Sequence, residues 1–467
     1  MSRGDIARRV LACALGVAAA GCVLAGGRGS TEADAAIESG RAAGTPVWSP
    51  RRVPQPFVDA VGAANLQTTV DALVAGTDSC VRVDATGMGT VARTGDATPV
   101  IPASTEKILT AAGALGVLGP DFRFATRAMS STGPANGAVN QLWLVGGGDP
   151  VLSTPEWTAK RGSEPDYVGV PDSFTPLTKL ADSIVAAGVR SIPGGIVGDT
   201  SLYPPPMFLA AWPEADRTEV GPLGALVVDD GFDLATGALV PDPALSAAAT
   251  LSAMLADRGV AIGPPSTGTA PGRTTELASL RSAPLSDLVT EMLSASDNGT
   301  AERLALAVGQ ATSGTGTTEA GLTGITDTLG AAGVDLTGVT LADASGLSSQ
   351  NRLTCSALLQ TLDLGPQPKL RSVVDGLAIA AKRGTLAERF GGTPIEGRLW
   401  AKTGTLTGSS GLTGVFDLAE GTGSPRFASV FNGGFSEATG IGLTNQVADA
   451  VDAYPQSPPA AELVPAP

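Results

Sequence analysis

Glycine and proline are the residues that most restrict how this chain can fold. The sequence contains 61 glycines and 34 prolines among 467 residues, which is roughly a fifth of the chain. Both residues interrupt helices and mark turns, so a bundle of long helices is disfavoured. Hydrophobic residues still make up 43% of the chain, enough to form cores. The composition therefore predicts a loop-rich mixed α/β protein, and the length suggests about two to three domains.

The absence of histidine restricts the chemistry as strongly. Catalysis by Ser-His-Asp or Cys-His groups is excluded, and so is a zinc site built on histidine. Six of the 30 basic residues are lysines, and lysine, unlike arginine, can lose its proton when it is desolvated. A hydrolase made from this chain therefore needs another base, and the lysines are the candidates. The net charge of −15 disfavours nucleic-acid binding.

The N-terminal segment has the pattern of a secretion signal. Three arginines precede an apolar run that begins at Val10, and Ala33-Asp34-Ala35 offers a cleavage site between small residues. We predict a signal peptide or membrane anchor over residues 1–35. A cleaved signal, an uncleaved anchor and a lipid anchor at Cys22 are the alternatives, in that order of preference. All three place the rest of the chain outside the cytoplasm, in contact with the membrane only through this segment.

The remaining pattern indicates one domain that is interrupted by an insertion. Residues 36–56 resemble a linker, and residues 454–467 form a proline-rich tail that we expect to be disordered. Strand patterns near both ends enclose segments with helical periodicity. We therefore assign residues 57–121 and 276–453 to a discontinuous catalytic domain. Residues 122–275 are predicted to be an inserted β-rich region of one or more domains.

Two cysteines, Cys80 and Cys355, lie outside the N-terminal segment. An exported chain can join such a pair in a disulfide. The sequence does not give the distance between them, so a disulfide and two free thiols both remain open.

The first catalytic candidate is Ser104-Thr105-Glu106-Lys107, at the start of a helix predicted over residues 103–118. Serine and lysine three residues apart share one face of a helix. The helix dipole favours developing negative charge at the serine, and a lysine whose pKa is lowered by burial and by a second cation can remove the hydroxyl proton. Ser-x-x-Lys alone is often accidental. The rest of this helix is apolar, however, and gives Lys107 little structural reason to be there.

The second candidate is Ser296-Asp297-Asn298. Ser296 can relay a proton between the lysine and a leaving nitrogen, and Asn298 can hydrogen-bond the peptide group of a substrate. Serine, aspartate and asparagine are also good N-caps, so the motif by itself indicates only the start of a helix.

The third candidate is Lys402-Thr403-Gly404-Thr405, on a predicted strand. An edge strand at this point can pair with an extended substrate backbone. Thr403 and Thr405 point to one side of the strand and can bind a terminal carboxylate. Lys402 can hold that carboxylate and lower the pKa of Lys107, while Gly404 permits close approach of another backbone. Taken alone, the motif is also compatible with an ordinary strand end that carries an exposed lysine.

The three motifs together, in this order, match the set found in β-lactamases and penicillin-binding proteins. The chain therefore resembles the serine penicillin-binding protein and β-lactamase superfamily. The long interval between Lys107 and Ser296 resembles the class C low-molecular-mass penicillin-binding proteins, which are D-Ala-D-Ala carboxypeptidases and endopeptidases with an inserted β-rich region. Over roughly residues 57–452, further segments similar to that family are 118–124, 146–150, 198–199, 343–348, 351–354 and 384–386. Ala344 departs from it, because the family usually has glycine there.

This resemblance implies an α/β (α+β) serine penicillin-binding/β-lactamase-like transpeptidase fold, in which helices flank an antiparallel sheet. It implies that Ser104 is the acylated nucleophile, that Lys107 is its base and that Ser296 shuttles the proton, with Asn298 and Lys402 completing the catalytic set.

The resemblance also implies the binding residues. The backbone N–H groups of Ser104 and Thr405 would form the oxyanion hole, beside Thr403 and Gly404. Three more residues resemble family positions that contact the side chain of the substrate: Asp199, Ser348 and Arg352.

The function implied is that of a serine D-alanyl-D-alanine carboxypeptidase, with a possible endopeptidase activity, acting on peptidoglycan peptides that end in D-Ala-D-Ala. No metal or organic cofactor is needed, and β-lactams are expected covalent inhibitors. One alternative is a serine β-lactamase, for which Glu319 is a superficial candidate for the deacylating carboxylate. Another is a non-catalytic cell-wall-binding scaffold protein, although the intact motif residues argue against it.

Overall fold

The structure is a computed structural model that describes residues 55–417 and 425–455. The predicted signal or anchor at residues 1–35 and nearly all of the predicted tail lie outside these residues. Most of the predicted linker does too, but its last two positions already belong to the first helix, which begins at Gln55.

Strands and helices alternate along the described part of the chain. The strands are β1 (Asp78–Ala85), β2 (Gly89–Thr94), β3 (Ala125–Ser130), β4 (Leu142–Val145), β5 (Leu152–Ser153), β6 (Thr175–Pro176), β7 (Ser191–Ile192), β8 (Ile196–Asp199), β9 (Ala261–Ile262), β10 (Ser266–Thr267), β11 (Thr275–Arg281), β12 (Ala378–Ile379), β13 (Leu399–Leu406), β14 (Ser409–Phe416) and β15 (Pro425–Asn432). The helices are α1 (Gln55–Val74), α2 (Lys107–Leu118), α3 (Pro155–Gly162), α4 (Leu177–Ala186), α5 (Pro243–Ala256), α6 (Leu285–Ala295), α7 (Asn298–Ser313), α8 (Thr318–Ala331), α9 (Cys355–Leu362), α10 (Ser372–Asp375) and α11 (Glu437–Asp452).

The first sheet is antiparallel and combines strands from both ends of the chain, in the order β12-β13-β14-β15-β1-β2. Side chains alternate between its two faces because successive residues of a strand point in opposite directions. Phe427 and Phe431 of β15 pack towards α1 and α11, whereas Ala428 and Val430 pack towards a group of helices that includes α2, α6, α7 and α9. The predicted antiparallel sheet flanked by helices is confirmed.

Helix α2 lies at the centre of this helical group. Its residues from Lys107 to Leu115 are all buried. Glycine permits close packing against α8: a Cβ atom at Gly113 would lie 2.8 Å from Cγ2 of Ile325. The 3-10 turn Ala103–Glu106, which carries Ser104, leads directly into this buried helix.

A second sheet has the order β10-β8-β4-β3-β11. In sequence, its strands lie between β1–β2 and β12–β15, the two sets of strands that form the first sheet. It is mixed, with β4 and β8 parallel and β3 and β4 antiparallel. Its own hydrophobic cluster includes residues of α4 and α5. The description of residues 122–275 as β-rich was incomplete, since α3, α4 and α5 lie there. The second sheet also continues to Arg281, because β11 pairs with β3 beyond the predicted boundary at residue 276.

A disulfide joins Cys80 of β1 to Cys355, the first residue of α9. It links the first sheet to the helical group. Within residues 55–417 and 425–455, we find no helix with the length and apolar character needed to cross a bilayer.

Candidate active site

Ser104 lies in a 3-10 turn, Ala103–Glu106, that leads directly into α2. The backbone at Ala103 is left-handed, with φ of 48°. Gly346 packs beneath this turn, and a Cβ atom there would lie only 2.0 Å from the carbonyl oxygen of Ala103. Gly346 itself has φ of 83°, a conformation that glycine adopts without strain. The segment around Gly346 therefore packs against the backbone of the turn that carries Ser104.

Lys107 is fully buried and contacts the serine directly. Its Nζ atom donates hydrogen bonds to Ser104 Oγ (2.9 Å), to Asn298 Oδ1 (2.6 Å) and to the carbonyl oxygen of Ser345 (2.7 Å). Burial lowers the pKa of Lys107 to about 8, against the opposing effect of nearby carboxylates. A substantial fraction of the lysine is therefore neutral in mildly alkaline solution and able to accept the serine proton.

Glu302 of α7 fixes the carbonyl group that holds Lys107. Its Oε1 atom accepts hydrogen bonds from the N–H groups of Ala344 (2.9 Å) and Ser345 (2.8 Å). Burial, together with the charge of Asp343, raises the pKa of Glu302 to about 8. Sequence reasoning missed Glu302 and Ser345. A charged residue within the apolar pattern of a helix was the available signal for Glu302, whereas a backbone carbonyl has none.

The Ser296-Asp297-Asn298 segment is the turn between α6 and α7. Ser296 is left-handed, with φ of 64°. Asp297 caps α7 by accepting a hydrogen bond from the N–H of Thr300 (2.6 Å). Asn298 Nδ2 donates to the carbonyl oxygen of Glu219 (3.0 Å), in the loop that follows β8. The capping and the catalytic interpretations are thus compatible, because capping uses Asp297 and leaves the side chains of Ser296 and Asn298 directed at the lysines.

Lys402 on β13 is also fully buried. Its Nζ atom donates to Ser296 Oγ (2.8 Å) and to the carbonyl oxygen of Thr403 (2.9 Å). Burial, together with the charge of Lys107, lowers the pKa of Lys402 well below its usual range. The exposed lysine considered from sequence is therefore excluded. The expectation named burial and a second cation as causes of the lowered pKa of Lys107. Burial is the cause found, and the charges that act on Lys107 are carboxylates, which raise its pKa.

β13 presents an open edge beside the serine. β12 pairs with it only at Trp400 and Ala401, and among the described residues no other strand pairs with its Lys402–Leu406 edge on that side. A Cβ atom at Gly404 would lie 3.1 Å from the N atom of Ser104, so the strand packs closely against the serine turn. Thr403 Oγ1 donates to Thr385 Oγ1 (2.9 Å).

A polar cleft of 640 Å³ opens over these groups. The three motifs share it: Ser104, Ser296, Asn298, Thr403, Gly404 and Thr405 line its wall. The inserted region contributes Arg161, Asp166 and Glu219 to the same cleft. Three distant stretches of sequence therefore meet in one site.

Asp199, Ser348 and Arg352 lie outside the cleft lining. Buried Asp199 accepts hydrogen bonds from the N–H groups of Ser201 (2.9 Å) and Ala270 (2.7 Å) at the end of β8. Ser348 is buried and accepts a hydrogen bond from the N–H of Gln350 (3.2 Å). Arg352 donates to nearby backbone carbonyls. Each of the three makes local hydrogen bonds, and the expectation that they contact the substrate stays a prediction.

Two buried lysines, each hydrogen-bonded to a serine hydroxyl beside one cleft, define an active-site-serine hydrolase that uses lysine where others use histidine. The sequence model of the D-Ala-D-Ala carboxypeptidase 3 (S13) family matches residues 67–237 and 233–454. The chain belongs to this family, and it is a serine-type D-Ala-D-Ala carboxypeptidase.

Curated relatives agree with this assignment, and a solved structure shares the fold. A carboxypeptidase of Mycobacterium tuberculosis is 35% identical over 336 residues, which cover 68% of each chain. A D-alanyl-D-alanine carboxypeptidase of Actinomadura sp. is 28% identical over 450 residues, covering 78% of this chain and 79% of that one. Penicillin binding protein 4 from Haemophilus influenzae shares the fold with a TM-score of 0.69 at 21% identity, over 84% of this chain and 99% of that one.

Proposed function

We propose that the enzyme cleaves terminal D-Ala-D-Ala in peptidoglycan peptides through an acyl-enzyme on Ser104. The observation that carries this proposal is the hydrogen bond from Lys107 Nζ to Ser104 Oγ at 2.9 Å, within a buried site that faces an open polar cleft. In a chain without histidine, this buried amine supplies the base that activates the serine.

Acylation follows from the two lysine–serine pairs. Neutral Lys107 takes the proton of Ser104 as Oγ bonds to the carbonyl carbon between the two D-alanines. The proton passes through Ser296, whose hydroxyl contacts Lys402, to the nitrogen of the leaving group. The C–N bond then breaks, D-alanine departs and the shortened peptide remains esterified to Ser104. A water molecule hydrolyses this ester, its proton returning to Ser104 through Lys107.

The open edge of β13 supports the proposed binding of the substrate. An extended peptide can add to this edge through backbone hydrogen bonds, with Thr403 and Thr405 towards its terminal carboxylate. The backbone N–H groups of Ser104 and Thr405 are proposed as the oxyanion hole. The close packing of Gly404 on Ser104 supports that assignment, because it brings the two backbones together.

The β-lactamase alternative receives no support at Glu319. This residue lies in the first turn of α8, outside the cleft over Ser104. Fast deacylation needs a carboxylate that activates water at the ester, so we expect β-lactams to acylate Ser104 and to leave slowly. The scaffold alternative is disfavoured, because the described site retains both lysine–serine contacts.

We place this reaction outside the cytoplasm, where peptidoglycan is built. The family assignment and the expected export signal at residues 1–35 support this proposal. The N-terminal segment is the part expected to meet the membrane. An endopeptidase activity is a further possibility, since such an enzyme also cleaves next to D-alanine.

Mass spectrometry after exposure to penicillin tests the proposed nucleophile. We expect one covalent adduct, on the peptide that contains Ser104, and release of D-alanine from a pentapeptide that ends in D-Ala-D-Ala. The Ser104→Ala variant should show neither adduct nor release while unfolding at the wild-type temperature. An adduct at another residue, or release of D-alanine by Ser104→Ala, would contradict the proposal.

A further inference from the structure

The inserted region reaches the second catalytic motif through a closed set of hydrogen bonds. Arg161, in the last turn of α3, donates to Asp297 Oδ2 (2.6 Å) and to the hydroxyl of Tyr167 (2.8 Å). Tyr167 donates to Glu291 Oε1 on α6 (2.5 Å). Thr300 on α7 completes the set through its N–H to Asp297 Oδ1 (2.6 Å) and its hydroxyl to Glu291 Oε2 (3.3 Å). We call these five residues the polar ring.

The polar ring ties together the two helices on either side of Ser296. Glu291 precedes this serine on α6, and Asp297 and Thr300 follow it. Ser296 adopts a left-handed backbone, which a residue other than glycine holds only where its surroundings impose it. The ring supplies that constraint, because it fixes α6 and α7 on both sides of the turn.

Arg161 is suited to this position by charge and by shape. Its side chain is 20% exposed and that of Asp297 is 9% exposed, so the ion pair is largely shielded from water. A third hydrogen bond, from Nη1 to Glu164 (2.6 Å), orients the guanidinium. Burial alone would raise the pKa of Asp297, but Arg161 and the N–H of Thr300 lower it and keep the carboxylate charged. Arginine reaches Asp297 and Tyr167 with Nη2 and Glu164 with Nη1, whereas lysine offers a single nitrogen.

We propose that Arg161 is a positioning residue of the reaction, which through Asp297 holds Ser296 and Asn298 against the two lysines. The contact from Asn298 to the carbonyl of Glu219, also in the inserted region, acts in the same direction. This inference rests on the proposed function and deepens it. The inserted region is thus part of the catalytic apparatus, although its residues transfer no proton.

The test compares acylation rates with fluorescent penicillin and steady-state hydrolysis of a D-Ala-D-Ala peptide. Arg161→Met, which keeps the length and removes the charge, should slow acylation about 10- to 100-fold, the range expected when a catalytic group is displaced. We expect kcat to fall by more than KM changes, because proton relay is impaired while the edge of β13 is intact.

Arg161→Lys should recover part of the rate through one contact to Asp297. If Arg161→Lys is acylated no faster than Arg161→Met, a role of Arg161 through charge and hydrogen bonding is contradicted.

Lys160→Met is the matched control. Lys160 is the exposed neighbour on the same turn of α3, and its ammonium lies over the rings of Trp157 and Phe232, which are not members of the polar ring. The Lys160→Met substitution removes one positive charge and should leave the acylation rate unchanged. A fall equal to that of Arg161→Met would overturn the proposal in favour of a general effect of charge. Tyr167→Phe removes only the hydroxyl between Arg161 and Glu291 and should slow acylation by a smaller factor.

The outcomes separate this inference from the proposed function. If the wild-type protein is not labelled at Ser104, the proposed function fails. If it is labelled and folded Arg161→Met is labelled at the same rate, only the inference fails. Should Arg161→Met not fold, Arg161→Lys and Tyr167→Phe carry the test, and wild-type acylation rates in both would overturn the inference.

Discussion

Lys107 lies among groups that pull its pKa in opposite directions. Burial disfavours the ammonium form, whereas the charges of Asp297, Asp343, Glu302 and Glu106 favour it. Burial also raises the pKa of Glu302 and that of Glu106, and a protonated carboxylic acid no longer stabilises a nearby cation. The balance leaves Lys107 with a pKa of about 8. Burial therefore favours neutral Lys107 in two ways. It disfavours the ammonium directly, and it favours protonation of the carboxylates that would otherwise stabilise the ammonium.

A pH profile of acylation follows from this balance. Below its pKa, Lys107 is an ammonium and cannot accept the proton of Ser104; above its pKa it is neutral and can. We therefore expect the acylation rate to rise with pH and to level off above about pH 8. Stopped-flow labelling with fluorescent penicillin between about pH 6 and pH 10 measures it. A rate that is flat or falls over this range, in protein that stays folded, would contradict Lys107 as the base.

At the scale of elements, the site depends on how closely β13 approaches the 3-10 turn that precedes α2. A Cβ atom at Gly404 would lie 2.9 Å from the carbonyl oxygen of Pro102 and 3.1 Å from the N atom of Ser104. Both contacts are with backbone atoms, which cannot rotate away as a side chain can. Any side chain at this position must therefore separate the strand from the turn.

Gly404→Ala should accordingly slow acylation by at least about 10-fold, because the N–H groups of Ser104 and Thr405, the proposed oxyanion hole, move apart. We expect the variant to fold, since the strand keeps its pairing with β14. Gly434→Ala is the matched control, because an added Cβ atom there meets nothing within 4 Å. Equal acylation rates for Gly404→Ala and Gly434→Ala would show that the close approach does not matter for catalysis.

Helices of the inserted region show where reading the sequence by composition fails. The prolines and glycines of the inserted region were interpreted as loop-rich β structure, yet α5 begins at Pro243. Asp242 accepts a hydrogen bond from the N–H of Leu245, and proline at the first position of a helix is favourable. The alanine-rich run that follows has high helix propensity. The cap, the proline and the alanine-rich run could have predicted this helix, but the interpretation relied on the overall glycine and proline content.

At the scale of the whole molecule, the predictable part of the site is the part with local motifs. Ser104 and Lys107 were predictable because a spacing of three residues on a helix fixes their relation. The helix predicted over residues 103–118 is a 3-10 turn up to Glu106 and the α-helix α2 from Lys107. Arg161 was not, because its partner Asp297 lies 136 residues away and Arg161 itself belongs to no sequence motif. The backbone carbonyl of Ser345 leaves no mark on the sequence at all. Contacts between the insertion and the catalytic motifs emerge only from the tertiary fold.

The disulfide belongs to this scale, because it spans a sequence separation of 275 residues. Ser104, the whole second sheet and the Ser296-Asp297-Asn298 turn lie inside the loop that it closes. Cys80 and Cys355 are fully buried between β1 and α9, and neither lines the cleft. Closing so long a loop restricts the unfolded chain, which stabilises the folded state by about 2–5 kcal/mol.

Replacing both residues, Cys80→Ala with Cys355→Ala, should therefore lower the free energy of unfolding by about 2–5 kcal/mol, as measured by denaturant unfolding. Alanine is preferred to serine because a buried hydroxyl without a partner would add a cost of its own. The acylation rate should stay at the wild-type value below the unfolding transition, since β13 and α2 keep their contacts. Wild-type protein in mild reductant is the control, because its buried sulfurs are shielded until the chain opens. An unchanged midpoint in the double variant would mean that packing between β1 and α9, and not the covalent link, holds the sheet to the helices.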